Sequence, residues 1–68
     1  MTPMTPEKKL ELLRILSEHR IEVRTFRKSR RVVAVEKIDG QVVLRYEDGN
    51  VEKMHLRDFG RRRFVAVI

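Results

Sequence analysis

The chain has 68 residues, of which 16 are Lys or Arg and 10 are Asp or Glu, so its net charge is +6. A chain of this length supports one domain with a thin core, which excludes an enzyme that needs a deep, dry active site. It contains no cysteine, which excludes a disulfide-stapled module and a cysteine-based zinc module. Hydrophobic residues make up 41%, which indicates a folded basic domain rather than a disordered basic tail.

The first expected element is a helix over residues 5–19, after a loose lead-in at residues 1–4. Thr5 is suited to cap this helix, Pro6 to fill its first position and Glu7 to meet the positive end of its dipole. We expect the helix to end near a histidine, His19, because a cation suits the negative end of the dipole.

The helix carries more apolar side chains than one side of a small domain covers. We expect part of this face to be buried and the rest to meet a partner, which is either a second copy of the chain or a larger protein. The expected interface residues are Leu10, Leu12, Leu13, Ile15 and Leu16.

After the helix, apolar residues recur at every second position, and this alternation predicts strands. The expected strands span residues 21–26, 31–38, 41–47, 51–56 and 61–68. Asp39-Gly40 is a strong hairpin signal and Asp48-Gly49-Asn50 is a second tight turn. We expect residues 57–60 to form a turn or a short helical turn. One helix and five short strands predict a single α+β domain over residues 1–68, whose strongly bent antiparallel sheet closes into a small barrel over residues 21–68.

The stretch VVAVEKIDGQVVLRYEDGNVEKMHLRDF, Val32 to Phe59, resembles the strand meander of Tudor-like and other SH3-like barrels. Its last part, YEDGNVEKMHLRDF, is similar to the Tudor pattern of an aromatic residue, an Asp-Gly-Asn turn, a Glu and an apolar-ended strand. Sm-like proteins have a related barrel, which begins with a helix before five bent strands. The resemblance therefore implies a Tudor-like or Sm-like barrel. Sm-like proteins bind RNA, and Tudor domains read methylated Lys or Arg in a cage of aromatic side chains.

Two segments carry nearly all of the positive excess: residues 20–31 hold a net charge of +5 and residues 61–68 a net charge of +3. The first and last strands of small barrels commonly pair, which would bring both segments to one face. Arg outnumbers Lys by eleven to five, and the planar guanidinium group of Arg suits contacts with phosphate groups. We therefore expect a non-catalytic, regulatory or accessory protein that binds DNA or RNA. The expected phosphate contacts are Arg24, Arg27, Lys28, Arg30, Arg31, Arg61, Arg62 and Arg63.

Two aromatic residues, Phe26 and Tyr46, are candidates to stack on a base of the nucleic acid. Phe26 and Phe64 are also candidates for the core, since a barrel of this size has few large apolar residues. The sequence leaves open whether the nucleic acid is DNA or RNA, and whether it is single-stranded or duplex.

The alternative function is a small adaptor that docks on an acidic protein partner through its basic face and its apolar helix. The last strand, which ends at Ile68, is a further candidate edge for pairing with another chain. We expect no catalytic residue, cofactor or metal, because His19 and His55 have no third ligand at a suitable spacing and the glycines lie in turns.

No stretch approaches the roughly 20 apolar residues that span a bilayer. The sequence Met-Thr-Pro-Met-Thr-Pro at the start lacks the basic residues and the apolar run of a signal peptide. We therefore expect a cytoplasmic protein, or a nuclear one in a eukaryote.

Overall fold

The computed structural model describes residues 4–68, so the expected lead-in lies outside the described residues except for Met4. The elements in chain order are α1 (Pro6–Glu18), β1 (Glu22–Thr25), β2 (Arg31–Ile38), β3 (Gln41–Tyr46), β4 (Val51–His55), α2 (Leu56–Arg61) and β5 (Phe64–Val67). The five strands form one antiparallel sheet, which confirms the α+β class. Within the described residues, no helix has both the length and the apolar character needed to cross a membrane.

The ends of α1 follow the local signals in the sequence. The Thr5 hydroxyl accepts a hydrogen bond from the Lys8 backbone N–H at 3.2 Å. Pro6 occupies the first turn, where a missing N–H costs nothing. At the other end, the backbone N–H of His19 donates to the Ile15 carbonyl at 3.1 Å. The helix therefore begins and ends where capping predicts.

The strand order in the sheet is β4-β3-β2-β1-β5. The first and last strands pair as expected, in a register that sets Glu22 opposite Val67 and Thr25 opposite Phe64. In the described part of the chain β4 and β5 do not pair with each other, so the sheet is not closed as the barrel prediction required. Within residues 4–68, β5 has four residues, and all four pair with β1, so this short strand does not extend to β4.

The final strand is shorter than predicted because the expected turn before it is a six-residue helix, α2. The Nδ1 atom of His55 accepts a hydrogen bond from the Arg57 backbone N–H at 3.0 Å and thereby caps this helix. Phe59 anchors α2 in the core, where it is fully buried. Arg61 therefore ends a helix, and the two arginines that follow it lie in the connection to β5 rather than in a strand.

The predicted hairpin turns are both present. Asp39 and Gly40 both have positive φ angles, 50° and 77°, as the two-residue turn between antiparallel strands requires. Gly49 has a φ of 90°, in the left-handed region that glycine enters without steric cost. These turns fix the register of β2 on β3 and of β3 on β4.

The core lies between α1, α2 and one face of the sheet. Its fully buried side chains are Phe59, Leu44 and Val42, and α1 contributes two of the expected interface residues, Leu10 and Leu13. The ring of Phe64 lies 5.6 Å from the ring of Phe59 and packs against this core.

The remaining apolar residues of α1 differ in exposure. Leu16 is half-buried against the core, whereas Leu12 and Ile15 are 40% and 42% exposed. Among residues 4–68, nothing covers this part of the helix face, as the sequence predicts.

Candidate functional site

A cleft of about 940 Å³ lies between the connection that follows β1 and the connection that precedes β5. Seven basic side chains line it against two acidic ones, Glu52 and Asp58, so it carries a charge of +5 in a chain whose total is +6. The basic residues are Arg27, Lys28, Arg30, Lys53, Arg61, Arg62 and Arg63. The structure therefore gathers most of the chain's excess charge in one concave surface.

The pairing of β1 with β5 brings the two basic segments together. Thr25 lies opposite Phe64 in the register, and one residue further along the Phe26 backbone N–H donates to the Arg63 carbonyl at 3.0 Å. The chain that leaves β1 and the chain that enters β5 are therefore neighbours. This is the arrangement that the charge pattern predicts, although the second segment reaches it through α2 and the connection.

Phe26 lies among these basic residues and not in the core. Its side chain is 60% exposed, and the guanidinium carbon of Arg63 lies 5.9 Å from the centre of its ring. Of the two residues considered for base stacking, Phe26 is the one with an accessible ring.

Tyr46 has a different position, as part of the core beneath the cleft. It is only 3% exposed, its hydroxyl donates to Glu52 Oε1 at 2.5 Å, and the Arg30 guanidinium lies over its ring. Burial, together with the hydrogen bond to Glu52, raises the pKa of Tyr46 to about 12. A base has no access to this ring, so the predicted stacking role of Tyr46 does not fit the structure.

Two of the arginines in the cleft are paired with carboxylates. Arg62 Nη2 lies 2.6 Å from Glu52 Oε2, and Arg30 Nη2 lies 3.3 Å from Asp48 Oδ2. The hydrogen bond from Tyr46, reinforced by Arg62, holds the pKa of Glu52 below its ordinary value.

The other basic side chains of the cleft make no salt bridge within residues 4–68. Arg27 and Lys28 lie on the side of β1, and Arg61 and Arg63 lie on the side of β5. These four cations, together with Lys53 of β4, are free to bind an anion from solution.

Two predicted phosphate contacts, Arg24 and Arg31, do not line this cleft. They are cross-strand neighbours in β1 and β2, and Glu22 lies between their charges, with its carboxylate 2.5 Å from Arg24 Nε and 3.8 Å from Arg31 Nη1. The hydrogen bond from Arg24 lowers the pKa of Glu22. Like charges on paired strands repel, and the carboxylate offsets that repulsion, so we assign both arginines to the sheet.

Arg24 also donates to the Ser29 carbonyl at 2.6 Å. This bond links β1 to the connection that carries Arg27 and Lys28. Arg24 therefore contributes to the shape of the cleft without facing it.

The sequence did not identify Lys53 and Asp58 as lining residues. Both lie in a segment with more acidic than basic residues, so no run of charge marked them. The alternation of β4 signalled only that Lys53 and the buried Met54 point to opposite faces. The place of Lys53 at the cleft depends on the position of β4 at the sheet edge, which follows from the strand order, and the place of Asp58 depends on α2.

Lys9 of α1 contacts α2 and the connection that follows it, and both of these segments line the cleft. Its ammonium donates to the carbonyls of Gly60 and Arg62, and it lies 5.8 Å and 5.4 Å from the ring centres of Phe59 and Phe64. Its partial burial lowers its pKa. A cation at the end of α2 suits the exposed carbonyls there, so Lys9 fixes the segment that carries the free arginines.

The chemistry of the cleft is that of anion recognition. Guanidinium and ammonium groups donate hydrogen bonds to phosphate or carboxylate oxygens, and one exposed aromatic ring offers a flat apolar surface beside them.

In comparisons with known proteins, no family model, curated protein or solved structure matches this chain.

Proposed function

We propose that this chain is a non-catalytic nucleic-acid-binding domain with a regulatory or accessory role, and that it contacts phosphates in the basic cleft. The observation that carries the proposal is the concentration of a +5 charge in one concave surface. Nucleic acids are the polyanions that match such a surface in both charge and extent.

The distribution of free cations supports a polymer rather than a single small anion. Arg27 and Lys28 stand on one side of the cleft and Arg61 and Arg63 on the other, so a chain of phosphates meets cations on both sides as it crosses. Each arginine presents a fork that matches two phosphate oxygens. Contacts of this kind are independent of sequence and weaken steeply with salt.

We further propose that the fold is a Tudor-like or Sm-like relative of the SH3-like barrels. An N-terminal helix before five strands and the pairing of the first strand with the last support this relation. A register shift between Val32 and Ala34 in β2 also supports it, because such bulges bend a strand and increase its twist.

A binding titration tests the proposed function. Labelled single-stranded and duplex DNA and RNA are titrated with the protein at low and at physiological salt, and we expect micromolar or tighter binding that weakens as salt rises. The variant Arg27→Gln with Arg63→Gln removes one free cation from each side. We expect it to bind more weakly and to lower the salt slope by about 1 for each lost phosphate contact.

The matched control is Arg14→Gln with Lys37→Gln, which removes the same charge from exposed positions away from the cleft. If the two double variants lose affinity equally, net charge accounts for the binding and the cleft assignment is wrong. Absence of binding to every nucleic acid at low salt contradicts the function itself.

The second candidate function is a protein-interaction adaptor, which the exposed Leu12 and Ile15 favour. They are three positions apart on α1 and so lie on one face of the helix. An adaptor predicts that Leu12→Gln with Ile15→Gln abolishes capture of an acidic protein partner, or dissociates a homodimer, and that the purified protein is free of nucleic acid. Nucleic-acid binding in the cleft predicts that this variant keeps its affinity for the oligonucleotides.

A further inference from the structure

The cleft combines two features that a phosphate site alone does not require. Phe26 keeps 60% of its side chain exposed beside the free cations, and two carboxylates, Glu52 and Asp58, line the same space. An aromatic ring offers no hydrogen bond to a phosphate, and a carboxylate repels one. Both features suit a ligand that also has a part other than phosphate.

Nucleobases supply that other part. A base has a flat face that stacks on an aromatic ring. Its edge carries N–H groups that donate hydrogen bonds to a carboxylate. Glu52 is already engaged by Tyr46 and Arg62, whereas Asp58 is exposed and pairs with no basic residue among residues 4–68. The cleft therefore offers a ring for the base face and one free carboxylate for the base edge.

Access to the face of a base distinguishes single strands from duplexes. In a duplex each base is stacked between its neighbours and paired along its Watson–Crick edge, so neither its face nor that edge is available to a side chain in a cleft. Recognition of single strands uses unstacked bases on aromatic side chains, with a basic groove that follows the backbone. The positions of Phe26, Arg27 and Arg63 correspond to this mode.

We propose that the cleft binds single-stranded nucleic acid, with an unpaired base stacked on Phe26 and the flanking phosphates on Arg27, Lys28, Arg61 and Arg63. This inference rests on the proposed function and narrows it to one class of ligand. The Asp58 carboxylate, which lines the cleft, repels phosphates, so the backbone follows the basic sides and the bases approach Asp58.

The experiment compares four probes of equal strand length, about 12 nucleotides, which is within the site sizes of small single-strand binders. They are oligothymidylate, oligouridylate, a strand of abasic deoxyribose phosphates and a DNA duplex. All carry phosphates, and the abasic strand has the charge of oligothymidylate without its bases. We expect tighter binding of the two normal single strands than of the abasic strand and the duplex.

The variant Phe26→Leu removes the ring and keeps an apolar side chain. We expect it to weaken binding of the normal single strands by about 5- to 150-fold, which corresponds to the loss of one stacked base. Binding of the abasic strand stays unchanged, because that strand has nothing to stack. The conservative variant Phe26→Tyr keeps an aromatic ring and retains the affinity.

The outcomes separate this inference from the proposed function. If the abasic strand or the duplex binds as tightly as the normal single strands, or if Phe26→Leu weakens all four probes equally, the inference is wrong while phosphate binding stands. If none of the probes binds, the proposed function fails as well. Because Phe26 is exposed, we expect the variants to fold, and circular dichroism checks this.

Discussion

The guanidinium carbon of Arg30 lies 3.8 Å from the centre of the Tyr46 ring. Tyr46 is buried in the core, and its hydroxyl reaches Glu52, which in turn pairs with Arg62. Tyr46 therefore contacts one cation of the cleft, Arg30, through its ring. It positions a second cation, Arg62, through the carboxylate of Glu52. This arrangement couples the stability of the core to the charge distribution of the cleft.

The alkaline titration of Tyr46 tests this coupling. Tyr46 is the only tyrosine and the chain has no tryptophan, so tyrosinate absorbance reports on this residue alone. We expect a pKa of about 12. A raised folded-state pKa means that the stabilisation is present below the ordinary pKa of 10.0 and is lost as pH rises towards the folded-state value.

The variant Glu52→Gln provides the comparison for that titration. It removes the carboxylate whose hydrogen bond and charge disfavour the tyrosinate, so we expect the pKa of Tyr46 to fall while burial still keeps it above its ordinary value. A midpoint near the ordinary value in the unsubstituted protein, or no change in the variant, contradicts the contact.

We expect acid to weaken the fold through three carboxylates with lowered pKa values. Hydrogen bonds cause each shift: from Arg24 to Glu22, from the Asn50 backbone to Asp48 and from Tyr46 to Glu52. A lowered folded-state pKa stabilises the protein above the unfolded-state pKa, and this contribution is lost as pH falls through the folded-state value.

We therefore expect the free energy of unfolding to be level above about pH 5 and to fall below about pH 4.5. Urea unfolding at a series of pH values measures it. The variant Glu22→Gln lacks one of the three groups, so its stability falls less steeply with acid. An identical slope in the variant shows that Glu22 is not held by Arg24 in solution.

Gly60→Ala tests the contact between α2 and the start of α1. A Cβ at this position lies 2.8 Å from Cγ of Pro6, and the proline ring cannot rotate away. We expect a loss of about 1–3 kcal/mol in the free energy of unfolding from this overpacking. In the background Pro6→Ala the ring is absent, so the same substitution costs much less. Urea unfolding of the four proteins gives the coupling, and additive effects contradict the packing of these residues.

Lys9→Met tests the support of the basic segment by α1. The substitution keeps the length of the side chain and removes the ammonium that bonds the Gly60 and Arg62 carbonyls. We expect a loss of about 1–2 kcal/mol in the free energy of unfolding and weaker binding of oligonucleotides, because the segment that carries Arg61 and Arg63 loses its anchor.

The control for this prediction is Lys8→Met, which removes the same charge from an exposed neighbour whose side chain makes no ion pair within residues 4–68. Urea unfolding and the same binding titration compare the two variants. If Lys9→Met and Lys8→Met have equal effects on both measurements, Lys9 acts only through its charge and not as an anchor.

The sequence could predict the elements that depend on neighbouring residues. The start of α1 follows from the Thr5 hydroxyl and the Pro6 ring, and the β2–β3 hairpin follows from the positive φ angles that Asp39 and Gly40 tolerate. The segment that forms α2 was expected to be a turn or a short helical turn over residues 57–60, because six residues carry too weak a period to predict a full helix. Its formation depends on the burial of Phe59, which is a tertiary contact.

The sequence could likewise predict only part of the candidate site. Composition and charge runs alone indicated a basic, phosphate-binding surface and named Arg27, Lys28, Arg61 and Arg63. They could not separate these from Arg24 and Arg31, because an arginine that meets a carboxylate across a strand pair has the same sequence signature as a free one.

By itself, the sequence determined the helix, the strands, the turns and the net charge, since each depends on residues close together in the chain. The tertiary structure alone decided which charges are free, which aromatic ring is exposed and which side chains share the cleft. The physical reason is that these properties depend on strand register. The pairing of β1 with β5 places Phe26 beside Arg63, and the core buries Tyr46 beneath Arg30, although the two aromatic residues looked equivalent in the sequence.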